Sequence, residues 1–227
     1  MLIFGKNPVL YTLNKHPSLI EEVLLSKELD NKLFKEFAKL DKKIIRVDNK
    51  KAQALSKGKN HQGMFLNIKD IPLLEIDEVL KFDKILILVG VSDVGNIGAI
   101  VRSAYCFGID TIVISGIGSF NLEGVVRSSS GAALDLPMAF YKDTADLLNR
   151  LKQNSFDISA LDGKGEPLVI NKQSKKIAML LGAEDEGIPN KILKKCDHVY
   201  KIGLKREFDS LNVSVAAAIF MDRMYNG

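Results

Sequence analysis

Residues 85–91 read ILILVGV, a run without a single polar side chain that predicts a buried strand. A helical segment at 97–107, stopped by Gly108, and a second apolar strand at 111–115 follow it. Alternation of this kind predicts an α/β domain in which a parallel sheet carries helices on both faces. Further strands are predicted at 158–161, 177–181 and 198–202, and a last helix at about 212–224.

The first 70 residues predict a smaller α/β module. Asn7 offers a capping residue and Pro8 a first helical position, which predicts a short helix through Leu13. The other predicted elements are a strand at 20–25, a helix capped by Asp30, and strands at 43–47 and 63–68. An acidic stretch containing Pro72 is the predicted linker. The predicted domains are 1–70 and 82–227, joined by the linker 71–81.

Composition is that of an ordinary globular protein, with 46% hydrophobic and 26% charged residues among 227. Net charge is only +4, but between residues 42 and 59 seven lysines and arginines stand against one acid, Asp48. This stretch predicts a basic face in the first third of the chain. Such a face is either an RNA contact or a solvated surface.

No apolar run approaches the ~20 residues that cross a bilayer, and the amino terminus lacks a basic region followed by a signal-peptide core. A cytoplasmic protein without membrane contact is therefore expected. The two cysteines, Cys106 and Cys196, have no metal-ligand spacing and are expected to be buried free thiols. No metal site is predicted.

A polar loop, DVGNIG at residues 93–98, leaves the first apolar strand at the edge of the sheet where open α/β folds bind ligands. Gly95 and Gly98 allow a ligand to approach the backbone, and Asn96 can cap the next helix. Arg102 can lean back toward Asn96 and offer its guanidinium to a phosphate. The alternatives are a simple helix cap for Asn96 and a solvated or ion-paired Arg102.

Two more polar segments lie near the carboxyl end. Glu184, in LGAEDEG at 181–187, follows a predicted strand and has a glycine on each side. The glycines free backbone groups for a flat ligand such as adenine, and Glu184 can order Asn96 or Arg102; a surface turn is the alternative. In SLNVS, at 210–214, one of Ser210 and Asn212 can cap the last helix while the other presents a polar group to a ligand.

Other ligand motifs are poor matches. Gly116 and Gly118 mimic the opening of a dinucleotide fingerprint, but Asn121 occupies the third glycine position and no helix is predicted there. The sequence contains no P-loop and no G-x-S-x-G hydrolase motif.

The three polar segments resemble, in order, content and spacing, the three motifs of the SpoU family of RNA ribose methyltransferases across residues 83–227. The first seventy-odd residues, with FGKNPV at 4–9 and HQG at 61–63, are similar to the substrate-binding domain of the branch that methylates a guanosine in 23S ribosomal RNA. The resemblance implies a carboxyl-terminal α/β knot, the deep trefoil of the SPOUT fold, and a small L30e-like α/β domain that binds the substrate.

The resemblance also implies a methyl donor and a set of site residues. S-adenosylmethionine is expected to contact Leu181, Gly182, Glu184, Gly187, Ile202, Leu204, Leu211 and Val213, with no metal. The implied catalytic or substrate-ordering set is Asn96, Arg102, Glu184, Ser210 and Asn212. The family's usual homodimer would place the site near a subunit boundary. The sequence departs from the family at Val94, where a proline is common, and at 205–209, where small residues are common.

The leading hypothesis is an S-adenosylmethionine-dependent RNA 2′-O-ribose methyltransferase acting on a guanosine of 23S rRNA. A tRNA ribose methyltransferase and a non-catalytic RNA-binding or ribosome-assembly factor are the alternatives. In the enzyme, the ribose hydroxyl loses its proton while attacking the sulfonium methyl, and an arginine guanidinium, which stays protonated, is a poor base. Arg102 is therefore expected to clamp a phosphate and orient the hydroxyl, while water or a substrate phosphate takes the proton.

Overall fold

A computed structural model describes residues 1–168, 175–206 and 210–226, with side chains to residue 224. A four-stranded sheet with strand order β1-β4-β2-β3 forms the amino-terminal module, and only the β2 and β3 pair is parallel. The elements of this module and the following segment are β1 (Leu2–Phe4), α1 (Lys6–Lys15), β2 (Ile20–Leu25), α2 (Asn31–Ala38), β3 (Lys43–Arg46), α3 (Asn49–Ser56), β4 (Met64–Ile68) and α4 (Ile76–Val79).

Most of the predicted elements of the module are confirmed. The strand at 20–25 is β2, and Asp30 caps α2 by accepting a hydrogen bond from the Leu33 amide. The capping role predicted for Asn7 is wrong, because α1 already begins at Lys6 after Gly5. The pattern also missed β1 and α3, which are short.

The carboxyl-terminal part is built on six strands with the order β10-β8-β9-β5-β6-β7, and every neighbouring pair is parallel. The predicted parallel sheet is confirmed. Its elements are β5 (Lys84–Val89), α5 (Val94–Cys106), β6 (Thr111–Ser115), α6 (Leu122–Ser128), β7 (Met138–Tyr141), α7 (Thr144–Gln153), β8 (Asp157–Pro167), β9 (Ile177–Gly182), α8 (Asn190–Leu193), β10 (His198–Lys201) and α9 (Val213–Asn226).

Alternate side chains of the central strands enter two separate cores, because successive residues of a strand face opposite sides of a sheet. Leu86 and Leu88 of β5 pack with the side chains of α5 and α9. Ile85 and Ile87 pack instead with α7 and α8. Helices therefore cover both faces of the sheet, as the sequence predicts.

The segment between β6 and β8 differs from the expectation. A helix, α6, does follow Gly118, and the Asn121 side chain caps it by accepting from the Gly124 amide at 2.9 Å. The expectation of no helix at this place is therefore wrong, although the glycine pattern of a dinucleotide site is still absent. The strand β7 and the helix α7 were also missed.

Both cysteines are free thiols, but the expectation that both are buried is wrong. Cys106 is exposed at the end of α5, and Cys196 is partly buried. Burial, followed by the negative charge of Asp197, raises the pKa of the Cys196 thiol to about 11. Cys106 is therefore the more accessible of the two thiols.

The predicted linker contains α4 and contacts the edge of the large sheet. The Leu74 amide donates to the Met138 carbonyl at 2.8 Å, beside β7, and Val79 is fully buried. The proposed domain limits 1–70, 71–81 and 82–227 stay a prediction, as does the knot. None of the helices in the described ranges has the length and apolar character needed to span a membrane.

Candidate active site

The polar loops meet because of the order of the central strands. β5 and β9 lie side by side, with Val89 opposite Gly182, and the chain proceeds from β5 outward through β6 to β7 while β8 and β10 lie on the other side of β9. Such a reversal leaves a crevice at the carboxyl ends of the two central strands, where open α/β sheets bind ligands. The loop at 93–98 follows β5, and the loop at 183–187 follows β9.

A cavity of about 640 Å³ opens at this edge of the sheet. Four stretches of chain line it: the second half of β8, the loop after β9, the segment after β10, and the start of α9. All eight residues expected at the methyl donor are among its lining residues, together with Ser210. These are Leu181, Gly182, Glu184, Gly187, Ile202, Leu204, Leu211 and Val213.

The inner wall of the cavity is a tight turn closed by glycines. The Gly187 amide donates to the Ala183 carbonyl at 2.9 Å, and Gly187 has a φ of 62°, which favours glycine. A Cβ atom on Gly182 would lie 2.3 Å from the Gly187 carbonyl carbon. Only glycine at 182 therefore lets the two backbone segments approach this closely.

One carboxylate joins the segments that follow β9 and precede α9. Glu184 Oε1 accepts from the Val213 amide at 2.8 Å and from Asn212 Nδ2 at 2.5 Å. Asn212 Nδ2 also donates to Asn96 Oδ1 at 3.0 Å, which ties the loop after β5 to the same point. Glu184, Asn212 and Asn96 form what we call the polar junction.

Every hydrogen-bonding group of the Asn212 side chain has a partner. Its two Nδ2 hydrogens serve Glu184 and Asn96, and its Oδ1 accepts from the amide and hydroxyl of Ser214 at the start of α9. Of the two candidates for capping the last helix, Asn212 is the cap. Ser210 lies at the cavity, as the sequence predicts for the other.

The capping role predicted for Asn96 is wrong. Asp93 caps α5 instead, since its Oδ1 accepts from the Asn96 amide at 2.7 Å. Asn96 Oδ1 accepts from Asn212 Nδ2. No described residue hydrogen-bonds to Asn96 Nδ2, so this side-chain nitrogen is a free donor beside the cavity. This leaves Asn96 available for a ligand.

Gly98 serves helix packing rather than ligand approach, contrary to expectation. A Cβ atom there would lie 2.0 Å from Ser128 Oγ, so glycine allows α5 to pack against α6. Ser128 Oγ lies 2.7 Å from the Val94 carbonyl, to which it can donate, and this contact supports the loop that carries Asn96. Sequence reasoning missed Ser128, which lies on a helix that was not predicted.

Arg102 is exposed on α5, and nothing in the described parts of the chain hydrogen-bonds or ion-pairs with it. The expected approach of its guanidinium to Asn96 is not observed as a hydrogen bond. The structure therefore presents Arg102 as a free cation on the helix that starts at the polar junction.

The charged residues of the cavity that were not among the predicted site residues are Asp162, Lys164, Asp185, Glu186 and Lys201. Asp162 could have been predicted as a site residue, because it follows the predicted strand 158–161 at the ligand-binding edge of the sheet. It lies where β8 continues beyond its predicted end, and its Oδ2 would be 3.3 Å from a Cβ on Gly187. Among the described residues, no group of three or more His, Cys, Asp or Glu side chains could hold a metal ion.

Known proteins share both the sequence pattern and the fold. The sequence profile of the SpoU rRNA Methylase family matches residues 83–222. The chain belongs to the SpoU rRNA methylase family. A second profile, RNA 2′-O ribose methyltransferase substrate binding, matches residues 2–73. The resemblance read from the three motifs is thereby confirmed, and with it membership in a family of RNA methyltransferases. Residues 207–209 of the divergent segment 205–209 lie outside the described residues.

The relatives of this chain align with different fractions of its length. An uncharacterized tRNA/rRNA methyltransferase of Archaeoglobus fulgidus is 38% identical over 139 residues, which are 60% of this chain and 62% of that protein. The 23S rRNA (guanosine-2′-O-)-methyltransferase RlmB of Xylella fastidiosa is 31% identical over 78% of this chain and 74% of its own length.

The fold class is confirmed by a solved structure. The SpoU methyltransferase AviRb from Streptomyces viridochromogenes, in complex with the cofactor AdoMet, superposes with a TM-score of 0.81 at 18% identity. The superposition covers 100% of this chain and 89% of AviRb, so both the amino-terminal module and the large sheet have counterparts.

Proposed function

We propose that this SpoU family member transfers a methyl group from S-adenosylmethionine to the ribose 2′-hydroxyl of a guanosine in 23S rRNA. The observation that carries the proposal is the polar junction, which brings the three motif segments together at the rim of one cavity. Family membership supplies the reaction class, and the guanosine of 23S rRNA is the substrate in the name of the Xylella relative.

The cavity fits S-adenosylmethionine in size and chemistry. A volume of about 640 Å³ lies within the roughly 300–1,000 Å³ of sites for ligands of this size. Leu181, Ile202, Leu204, Leu211 and Val213 supply apolar contacts, while the backbone beside Gly182 and Gly187 offers polar groups to an adenine edge. When bound, the cofactor supplies a methyl group already activated on a sulfonium.

The chain's own residues would hold and orient the RNA. Asn96 Nδ2 is a free donor and would position the reacting ribose through one of its oxygen atoms. Arg102 would hold an adjacent phosphate with its bidentate guanidinium. Glu184 and Asn212 would keep Asn96 in place, and Ser210 would add a hydroxyl at the cavity. The hydroxyl proton would pass to water or to a substrate phosphate as the oxygen–methyl bond forms and the sulfur–methyl bond of the donor breaks, which leaves a neutral thioether.

The substitution Gly182→Ala is expected to weaken binding of S-adenosylmethionine about tenfold or more. The new Cβ would lie 2.3 Å from backbone of Gly187, so the turn that walls the cavity must move, and overpacking of this kind costs about 1–3 kcal/mol. Calorimetric titration of the folded variant measures the effect. Gly118→Ala is the matched control, since this glycine is outside the cavity lining and a Cβ there meets nothing within 4 Å. Equal loss in both variants would contradict the assignment.

The amino-terminal module would bind the RNA through a basic surface, defined as Lys42, Lys43, Arg46, Lys50, Lys51, Lys57 and Lys59. All seven side chains are exposed, on or beside the edge strand β3 and the helix α3. Phosphate contacts release counterions, so affinity that depends on this surface should fall steeply with salt.

Reversing two of these charges, in a Lys50→Glu, Lys51→Glu variant, is expected to weaken RNA binding and flatten its salt dependence. The slope of log affinity against log salt should lose about 0.7–0.9 for each phosphate contact removed. Filter binding at several salt concentrations measures this slope. The control is Lys32→Glu, Lys35→Glu on α2, which changes the same charge outside the basic surface. Identical slopes for both variants would mean that the basic surface is solvated and does not contact the RNA.

Side-by-side methylation assays distinguish the candidate functions. The protein is incubated with S-adenosylmethionine carrying a labelled methyl group and with either unmodified 23S rRNA or bulk tRNA. The proposal predicts label in 23S rRNA. Label in tRNA alone would favour the second candidate, a tRNA ribose methyltransferase, which the name of the archaeal relative keeps open. Absence of donor binding by the folded protein would favour a non-catalytic RNA-binding or assembly factor.

The proposed enzyme is a cytoplasmic homodimer whose subunits meet near the site. Tyr105 on α5 and Val215 on α9 are 45% and 48% exposed, and the two helices pack together near the polar junction. Burying such side chains against a second copy would be favourable. Sedimentation equilibrium should give twice the chain mass of 25.1 kDa, and a monomer at micromolar concentration would refute the dimer.

A further inference from the structure

The amino-terminal module is packed firmly against one segment of the methyltransferase part, residues 126–135. A single cluster of buried apolar side chains includes Ile3 and Val9 of the module together with Val126 and Ala133. The Arg127 guanidinium also lies 4.9 Å from the centre of the Phe4 ring. The two parts therefore share a continuous seam beside the strand β1 and the helix α6.

Two polar side chains of the module converge on one carboxylate in this seam. The Tyr11 hydroxyl on α1 donates to Asp135 Oδ2, and His16 Nε2 lies 3.0 Å from Asp135 Oδ1. The histidine contact is within ion-pair distance but does not have hydrogen-bond geometry. Burial, and after it the bond to Asp135, raises the pKa of the Tyr11 phenol above its ordinary value.

The Tyr11 ring reaches Asp135 by crossing over a glycine. Gly131 has a φ of 99°, and a Cβ atom there would lie 2.7 Å from Tyr11 Cδ1. Gly131 and Asp135 therefore form what we call the platform for α1, since both lie against Tyr11.

We propose that Asp135 is a positioning residue that fixes the RNA-binding module relative to the methyl-donor cavity. This inference rests on the proposed function, because it assumes that one RNA contacts both parts. Asp135 is the only residue of the platform whose side chain contacts both Tyr11 and His16 among the described contacts. An RNA gripped by the module would then reach Asn96 with its ribose already in place. A loosened module would have to be reoriented at each binding event.

The expected result for Asp135→Ala is a KM for 23S rRNA raised about tenfold, with kcat within roughly twofold and donor affinity unchanged; a tenfold change corresponds to about 1.4 kcal/mol. Tyr11→Phe removes only the hydroxyl and should raise KM in the same direction. It also tests the proposal if Asp135→Ala does not fold. Asp135→Asn keeps an acceptor for Tyr11 and should recover part of the loss.

The matched control is a second tyrosine–aspartate pair within the methyltransferase part. The Tyr141 hydroxyl donates to Asp146, and none of the described hydrogen bonds or ion pairs joins either residue to the module. Asp146→Ala and Tyr141→Phe should leave KM for the RNA unchanged. If they raise it as much as the Asp135 and Tyr11 variants do, the effect is general and the positioning role is refuted.

Small-angle X-ray scattering separates this proposal from the proposed function, because it requires no methyl transfer. Asp135→Ala and Tyr11→Phe should increase the radius of gyration relative to the unaltered protein and to Asp146→Ala. An unchanged radius together with an unchanged KM overturns the positioning role. If the unaltered protein methylates no RNA, an increased radius still supports the contact as a clamp while the proposed function fails.

Discussion

Arg102→Ala is expected to lower kcat for RNA methylation about 10²–10³-fold while leaving affinity for S-adenosylmethionine unchanged. A phosphate clamp sets the position of the neighbouring ribose, and a misplacement of about 1 Å can cost about 10²-fold in rate. Arg102 is exposed, has no partner among the described residues, and is not part of the cavity lining. Its loss should therefore affect the RNA and not the donor. Single-turnover rates with saturating donor measure the effect.

Two further variants test whether Arg102 acts through its bidentate guanidinium or only through its positive charge. Arg102→Lys keeps the charge but loses the planar fork, and it should recover only part of the rate. Arg223→Ala on α9 removes another exposed arginine and should have little effect. If the lysine variant has full activity, the bidentate role is wrong. Weakened donor binding in Arg102→Ala would place the residue at the cofactor instead.

Glu184→Ala is expected to lower kcat by a similar factor, about 10²-fold or more, and to weaken donor binding as well. Glu184 Oε1 accepts from both Asn212 Nδ2 and the Val213 amide, so its removal releases the start of α9 and the attachment of Asn96. Stability should change less, by about 1 kcal/mol, because Asn212 is exposed and water can reach its side-chain donor. Thermal unfolding and donor titration separate the two effects.

The adjacent acid gives a matched control for this substitution. Glu186 lines the same cavity and is exposed, and no hydrogen bond of its side chain is among those described. Glu186→Ala should therefore retain most of the activity. A double-mutant cycle between Glu184→Ala and Asn212→Ala should be strongly non-additive, since each alone breaks the junction. Additive effects would mean that the two residues act independently.

Several strands were predicted correctly from the sequence. The strands β2 and β6 have the predicted limits, since β2 is followed by the polar Ser26 and β6 by Gly116. The strand β8 extends to Pro167, well past residue 161, because pairing with β10 holds a stretch that has little apolar pattern. Only the tertiary pairing determines that extension.

The candidate site could be predicted from the sequence only in part. The positions of polar loops after strands identified the segments that meet, and all the expected donor residues line one cavity. The bonds of the polar junction were not predictable, since they depend on β9 lying beside β5. Asn96 was predicted to cap α5, but Asp93 is the cap. Both residue types cap helices well and they are three positions apart, so the sequence could not distinguish them.

The position of the transferred methyl group tests the central claim most directly. RNA labelled by this protein is hydrolysed completely with alkali, which requires a free ribose 2′-hydroxyl at each cleaved bond. If the methyl group is on a 2′-oxygen, cleavage stops there and the label appears in a dinucleotide. Label in mononucleotides would show methylation of a base, and that result would contradict the assignment of Asn96 and Arg102 to a reacting ribose.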